Sequence, residues 1–356
     1  MTFPKKIVID QGFCYPSFPI LDNGDIFICL KFTEPDLPEH VCKYTEIRLI
    51  NFETKTVKWN YSLKDEGDFV TSQPILYKNK YYITTNNYIF ALDKNDGSVV
   101  WQIKYKLWTT NINVVDDLIY LCNHKEIKVI NCENGKIIKS KKYRVNWIDS
   151  KLVKYNNRLF VSTSNSKIIE VNIDTLEIEN EFKYSGGWAI ASTPVFTNNL
   201  MLSNSYASTA SCFDLTTNEI LWRTKKQVGA EPKQLIDEVN QIFFIVEILQ
   251  VYRLSAVDIK NGKKLWTQEY HIHDLKNLND KSIIGLLKNK YGQYFIGIIN
   301  KSNGILEKEI CLTNYNFDKK FEYRLWKGAE IFIDKEHIAI TYSPSEIYIM
   351  NKNNIT

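Results

Sequence analysis

A chain of 356 residues, 44% hydrophobic and 24% charged, with 14 Gly and 9 Pro, is long enough to bury a large core and too apolar for a low-complexity or disordered protein. Its formal charge of +4 falls short of the strong basicity of dedicated nucleic-acid binders. No apolar run approaches the roughly 18–20 residues needed to span a bilayer.

The first predicted element is the strand Lys6-Ile7-Val8-Ile9-Asp10, which stands alone. From there one unit recurs. An apolar strand ends in Asp or Asn, Gly often follows four residues on, and Trp often stands four beyond that. The clearest copies are Ile89-Phe90-Ala91-Leu92-Asp93 with Gly97 and Trp101, and Ser255-Ala256-Val257-Asp258 with Gly262 and Trp266. Each reads as two antiparallel strands around a tight turn. The Asp/Asn position falls at Asn51, Asp93, Asn131, Asn172, Asp214, Asp258, Asn300 and Asn351, in steps of 42, 38, 41, 42, 44, 42 and 51 residues. A fixed period of this length fits a four-stranded propeller blade. Gly97, Gly135, Gly262 and Gly304 suit a turn that needs positive φ. Lys55, Leu176 and Asn218 replace Gly in other copies and predict turns that differ in detail.

Two more short strands precede each hairpin, at about Thr71–Leu76 and Tyr81–Thr85 in the second unit. Four strands per unit are named A to D, with A innermost. The blades are expected at about residues 15–61, 70–103, 108–140, 147–182, 188–224, 229–268, 272–310 and 326–351. The eighth unit supplies Glu330–Ile333, His337–Thr341 and Glu346–Met350 as A, B and C and leaves no room for D. Residues 1–10 are therefore expected to supply that outer strand and close the ring, which removes its open edges. The expectation is an all-β chain, one eight-bladed propeller over residues 1–356. Seven blades is the alternative, should the N-terminal strand and the last unit pair differently.

The motif, roughly Ala-Leu-Asp-x-x-x-Gly-x-x-x-Trp, resembles the pyrroloquinoline quinone (PQQ)-type propeller repeat over nearly the whole chain, most closely in units two and six. The resemblance implies eight blades and a Trp that docks between neighbouring blades. It implies little about function, since the family holds quinone dehydrogenases, outer-membrane assembly lipoproteins and non-catalytic binding proteins. Trp59, Trp101, Trp222 and Trp266 end the D strands and read as structural, each ring burying on the order of 200 Å². Trp108, Trp147, Trp188 and Trp326 stand at the entry to predicted A strands, around the channel mouth on blades 3, 4, 5 and 8. They either plug that mouth by packing or form an aromatic binding patch. Beside them the D–A connections are basic, with Lys104, Lys106, Lys139, Lys141, Lys142, Arg144, Lys183, Arg223, Lys225, Lys226 and Lys233. The first connection, Asp65-Glu66-Gly67-Asp68, is acidic instead.

Short catalytic motifs are not in view. Cys14, Cys29, Cys42, Cys122, Cys132, Cys212 and Cys311 form no CxxC pair and read as reduced, mostly buried thiols with no zinc site. In His271-Ile272-His273-Asp274 both imidazoles would face one side of a strand and could reach one metal, but a solvated loop before blade 7 is the preferred reading. No Ser/His/Asp or Cys/His arrangement stands out, and Ser185-Gly186-Gly187 is too short for a phosphate loop. Quinone enzymes of the resembling family use a calcium-binding carboxylate cluster, a catalytic Asp and often adjacent cysteines, and no segment here supplies them. The expectation is a propeller that is not an enzyme, has no cofactor or metal, and binds another protein. Its site would combine Trp108, Trp147, Trp188 and Trp326 with Lys141, Lys142, Arg144, Arg223, Lys225 and Lys226. The sharpest form is a cytoplasmic immunity protein facing an acidic-surfaced bacterial toxin, since the start lacks a signal-type apolar segment. The alternatives are a scaffold like the outer-membrane assembly propellers, or an enzyme binding PQQ or another small molecule. Neither a membrane nor a nucleic acid is expected as partner.

Overall fold

The apolar, β-branched and aromatic run Tyr88–Asp93 has no helical period, and it forms the third strand of a sheet with Ile75–Tyr77, Lys80–Thr84 and Val99–Lys104. The same arrangement recurs throughout the computed structural model. It describes residues 5–8, 14–32, 43–63, 65, 67–105, 110–123, 125–144, 152–163, 167–183, 192–204, 210–224, 230–248, 252–291, 293–312, 330–343 and 346–355. These residues build eight four-stranded antiparallel sheets, the blades of a β-propeller.

Blade 1 is Cys14–Asp22, Asp25–Phe32, Tyr44–Asn51 and Thr56–Ser62, and blade 2 is the sheet just given. Blade 3 is Thr110–Val115, Leu118–Asn123, Glu126–Asn131 and Ile137–Lys142. Blade 4 is Val153–Tyr155, Arg158–Thr163, Lys167–Asn172 and Ile178–Lys183. Blade 5 is Val195–Thr197, Leu200–Ser203, Ser211–Asp214 and Glu219–Arg223. Blade 6 is Ala230–Asp237, Ile242–Ile248, Tyr252–Asp258 and Lys264–Gln268. Blade 7 is His271–Asn277, Ser282–Lys288, Tyr294–Asn300 and Leu306–Cys311. Blade 8 takes Glu330–Ile333, His337–Ser343 and Glu346–Asn351 from the C-terminal region, and its outer strand is Lys5–Val8. Lys5 pairs with Ile349 and Ile7 with Ile347, so the N-terminal strand completes the last blade as its apolar pattern predicts.

The repeated Asp or Asn closes the turn after each C strand. Its side-chain oxygen accepts backbone amides two or three residues on: Glu53 and Thr54 to Asn51 at 3.1 and 2.9 Å, Asp174 and Thr175 to Asn172 at 2.9 Å each, and Lys260 to Asp258 at 2.9 Å. A residue with positive φ follows at the fourth position. Gly97, Gly135, Gly262 and Gly304 have φ of 72°, 72°, 71° and 74°. Lys55, Leu176 and Asn218 have φ of 61°, 58° and 61°, so their turns keep the left-handed conformation. Two of them differ in detail as expected, since the D strand begins one residue earlier and pairs Asn51 with Thr56 and Asp214 with Glu219, whereas the Leu176 turn matches the glycine turns.

A β-bulge follows in the pairing of C with D. The register slips between Leu49 and Ile50, Ala91 and Leu92, Val129 and Ile130, Glu170 and Val171, Cys212 and Phe213, and Ala256 and Val257. The skipped residue stands directly before the Trp position, and its twist turns that position toward the neighbouring blade. Val100, Ile138, Leu221 and Leu265 are such skipped residues, and they are exposed on the outer strands together with the paired Val57, Val99, Ile137 and Ile220. The four tryptophans lie inside the D strands and not at their ends, as Trp59 does within Thr56–Ser62.

Contacts group the chain into two compact units. In the first (Met1–Leu107, Gly285–Ile296 and Glu309–Thr356), Ile7, Ile347 and Ile349 of blade 8 pack with Ile26, Ile28 and Phe52 of blade 1. Phe27, Leu49 and Trp59 of blade 1 pack with Tyr81, Phe90 and Leu92 of blade 2. In the second unit (Trp108–Ile284 and Gly297–Lys308), blades 3 and 4 share a core of Val129, Tyr143, Leu159 and Leu176. Blades 4 and 5 share Phe160, Phe182, Phe213 and Leu215, and blades 5 and 6 share Trp222, Phe243, Val257 and Ile259. Each core is a blade junction. Cys29, Cys122, Cys132 and Cys212 are buried free thiols in or beside these cores, Cys311 is free and exposed, and Cys42 and the side chain of Cys14 lie outside the described residues. Burial pushes the Cys212 thiol up to about 12, which keeps it protonated and unreactive.

Candidate functional site

The D–A connections follow directly from the outer strands. In blade 3 the outer strand carries Lys139, Lys141 and Lys142, with Tyr143 and Arg144 just beyond. Lys139 donates its ammonium to the carbonyl of Asp174 in the turn of blade 4, and Lys141 pairs with Glu177 there. Arg223 of blade 5 donates Nη2 to the carbonyl of Lys183 at 2.8 Å, back toward blade 4. Lys141 and Arg223 thus link neighbouring blades, while Lys142 and Arg144 are exposed. The remaining predicted site residues, Trp108, Trp147, Trp188, Trp326, Lys225 and Lys226, lie outside the described residues.

Tyr143 is buried, and its hydroxyl donates to the carbonyl of Leu176 at 2.7 Å, so it serves the junction of blades 3 and 4 and not an open aromatic surface. It stands four residues after the Trp position, which is Lys139 in this blade. Tyr270 stands at the equivalent place in blade 6 and donates to the carbonyl of Gly304 at 2.9 Å. The recurrence of Tyr at 105, 143, 184 and 270 was the available signal for this second docking position.

The acidic connection between blades 1 and 2 is built differently. The hydroxyl of Thr85 donates to Oδ2 of Asp68 at 2.9 Å, that of Thr45 donates to the Asp68 carbonyl at 2.9 Å, and the hydroxyl of Tyr88 donates to Oδ2 of Asp65 at 2.8 Å. Thr85 in turn accepts the amides of Asn87 and Tyr88, so Asp68 fixes the B–C turn of blade 2. Burial, and after it the charge of Asp65, raises the Asp68 carboxyl above its ordinary range, against the hydrogen bonds it accepts. Phe69 is partly exposed here, with the Lys31 ammonium 5.3 Å from its ring centre.

The histidine pair is not in a loop. His271 and His273 stand on the A strand of blade 7, and His273 is buried. Tyr252 stacks on His271 with ring centres 3.8 Å apart, and His271 on His273 at 4.8 Å with 21° between planes. Lone pairs of near-parallel stacked imidazoles run side by side and do not converge on one ion, so the arrangement is that of packed rings. Among the described residues no group of three or more His, Cys, Asp or Glu could hold a metal. No helix among them is long and apolar enough to cross a membrane.

No family model matches the chain. A putative cysteine ligase BshC from Lysinibacillus sphaericus is 28% identical over 111 residues, 29% of this chain. The chain spans 20% of that protein's length. Among solved structures, BamB from Moraxella catarrhalis aligns over 98% of both chains with a TM-score of 0.69 and 12% identity. The computationally designed protein Ika8 aligns over 98% of this chain and 99% of its own, with a TM-score of 0.72 and 10% identity. Quinohemoprotein alcohol dehydrogenase from Comamonas testosteroni matches 99% of this chain and 76% of its own, with a TM-score of 0.70 and 9% identity. The chain therefore has the eight-bladed, PQQ-like propeller fold that its repeat resembles. One expectation is corrected: the inference from missing short motifs that the chain is not an enzyme does not stand. An alcohol dehydrogenase carries this fold over almost the full chain, so the architecture hosts catalysis as well as other roles.

Proposed function

We propose that this chain is a protein-binding propeller scaffold that engages its partner at the D–A connections of blades 3 to 5. The reading is carried by the contrast within blade 3, where Lys139, Lys141 and Tyr143 are committed to the next blade while Lys142 and Arg144 are exposed beside them. Exposed cations held on a rigid sheet favour an acidic protein surface and speed its association in a salt-dependent way. In its finest form the partner is a toxin with an acidic face, and the chain acts in the cytoplasm as its immunity protein. A scaffold of the BamB kind is the second reading, favoured by an alignment that spans both chains almost end to end.

The test is a pull-down from the native organism with wild type and a Lys142→Glu/Arg144→Glu variant that unfolds at the same denaturant midpoint. One protein lost in the variant and recovered less well at high salt is the expected result. The identity of that protein separates toxin from envelope-assembly partner. A partner retained equally by the variant places the surface elsewhere.

A further inference from the structure

The A–B turns hold a second feature, at the opposite end of the A strands from the D–A connections. In blades 1 to 5 this turn has two residues: Asn23-Gly24, Lys78-Asn79, Asp116-Asp117, Asn156-Asn157 and Asn198-Asn199. Positive φ at both residues of four of these marks tight hairpins. In blades 6 and 7 the turn has four residues, 238–241 and 278–281. Insertions in a repeat protein map to loops on one face, often the binding face. The two long turns wall a cleft of about 420 Å³, lined by Ile236, Asp237, Glu238 and Val239 on one side and 277–280 on the other, with Lys301 also lining it.

The walls are tied together. Oδ1 of Asp237 accepts the amides of Val239 and Asn240 at 3.2 and 3.3 Å. The Asn240 amide donates to Oδ2 of Asp237 at 2.7 Å and to the carbonyl of Asp280 at 3.0 Å, and Asn277 donates to the carbonyl of Ile236 at 2.9 Å. Lys301, the one basic group lining the cleft among the described residues, is 4% exposed and pairs with Asp237 at 2.9 Å. The charges that remain are the carboxylates of Glu238 and Asp280, both exposed, and no hydrogen bond or ion pair engages either among the described residues. Val239, 76% exposed, adds an apolar lip. An ion pair of the same kind, Asp22 with Lys94, joins blades 1 and 2. There the flanking turns are Asn-Gly and Lys-Asn and offer no carboxylate, so the acidic cleft is not a by-product of the ion pair.

We propose that this cleft binds an alkylammonium or guanidinium group, as lysine and arginine side chains carry. Two carboxylates suit the cation, and Val239 suits the methylene stem behind it. The site is independent of the D–A surface and its test does not involve it.

The experiment is calorimetric titration of the full chain with acetyl-Ala-Lys-Ala-Lys-Ala-amide, with the same peptide acetylated on both lysines, and with n-butylamine. Saturable binding of the lysine peptide, weakened at least tenfold by lysine acetylation and at least tenfold by Glu238→Gln/Asp280→Asn, supports the site. Both substitutions fall on exposed turn residues, and an unchanged denaturant midpoint confirms the fold. Butylamine binding as tightly as the peptide assigns the site to free amines, and a weaker butylamine assigns it to a basic segment of a protein. Absence of saturable binding by peptide and amine alike, or a double variant that binds like wild type, overturns the proposal.

Discussion

Blade junctions 5–6 and 3–4 solve one packing problem in two ways. At 5–6, Trp222 of the outer strand lies against the turn of the next blade and donates Nε1 to the carbonyl of Ile259 at 2.7 Å. A Cβ on Gly262 would meet that ring at 2.6 Å. At 3–4 the Trp position is Lys139, and the turn residue is Leu176, which is buried despite a φ of 58°. Tyr143 donates to the carbonyl of Leu176, an acceptor the indole does not use: at junction 6–7 Trp266 and Tyr270 make both bonds, to Lys301 and to Gly304. Trp and Gly are thus one device split between two blades, and losing the ring frees the space that a side chain then fills. The sequence keeps the rule: Trp59, Trp101, Trp222 and Trp266 precede Gly97, Gly135, Gly262 and Gly304, while Lys139 and Asn180 precede Leu176 and Asn218.

The largest break in the comparison is removal of the ring. Trp222→Ala should cost about 3–5 kcal/mol of unfolding free energy through the cavity and the orphaned Ile259 carbonyl. Lys139→Ala, at the same repeat position, should stay within about 0.5 kcal/mol. Urea unfolding of the two variants checks this, and equal losses would dismiss the idea that the indole carries the junction. Gly262→Ala comes next. Overpacking against Trp222 costs roughly 1–3 kcal/mol, and the left-handed φ of 71° adds about 1 kcal/mol. Because clash and cavity share one space, the double variant Trp222→Ala/Gly262→Ala should be more stable than additivity predicts by about 1 kcal/mol or more. At the other junction Tyr143→Phe should lose about 1–3 kcal/mol, since it leaves the buried Leu176 carbonyl without its donor.

Much of this architecture was legible in sequence, and the reasons are local. The Asp/Asn position announces itself because its side chain caps a turn within three residues. The Lys5–Val8 strand was legible because the eighth unit runs out of strands and an apolar segment lies unclaimed at the other end. What was missed spans two blades. Gly97, Gly262 and Gly304 were read through φ alone, although the ring of the preceding blade, about 38 to 40 residues earlier in the chain, also excludes a Cβ there. The burial of Tyr143 was not legible, because nothing within its own blade shows that it reaches Leu176. Lys141 and Arg223 looked like free cations for the same reason. The His271–His273 pair was placed in a loop, since a polar His-x-His-Asp segment at a blade boundary gives no local sign of the ring stack with Tyr252.

The smallest expected effect concerns two buried carboxylates that answer pH in opposite senses. Asp237 suffers a burial penalty, yet hydrogen bonds from Asn240 and Lys301 outweigh it and hold its carboxyl below the ordinary range. Its contribution is present above the unfolded carboxylate range, near pH 4, and is lost as pH falls through the folded value. Asp68 is raised by burial, so its folded form holds the proton more tightly than the unfolded chain does, and acidification through the folded value adds stability there. Asp68→Asn removes a charge that burial disfavours and keeps an oxygen to accept from Thr85, so at pH 7 it should change stability by about 1 kcal/mol or less. On acidification from pH 7 toward pH 4 the wild type should gain on this variant. Asp237→Asn leaves the Lys301 ammonium buried without its counter-charge, and there the wild type's advantage should shrink as the pH falls below about 4. Unfolding midpoints of the three proteins across that range read both slopes. Curves that run parallel for Asp68→Asn and wild type would show that Asp68 is ordinary and that its connection is held by Thr45 and Thr85 without help from the proton.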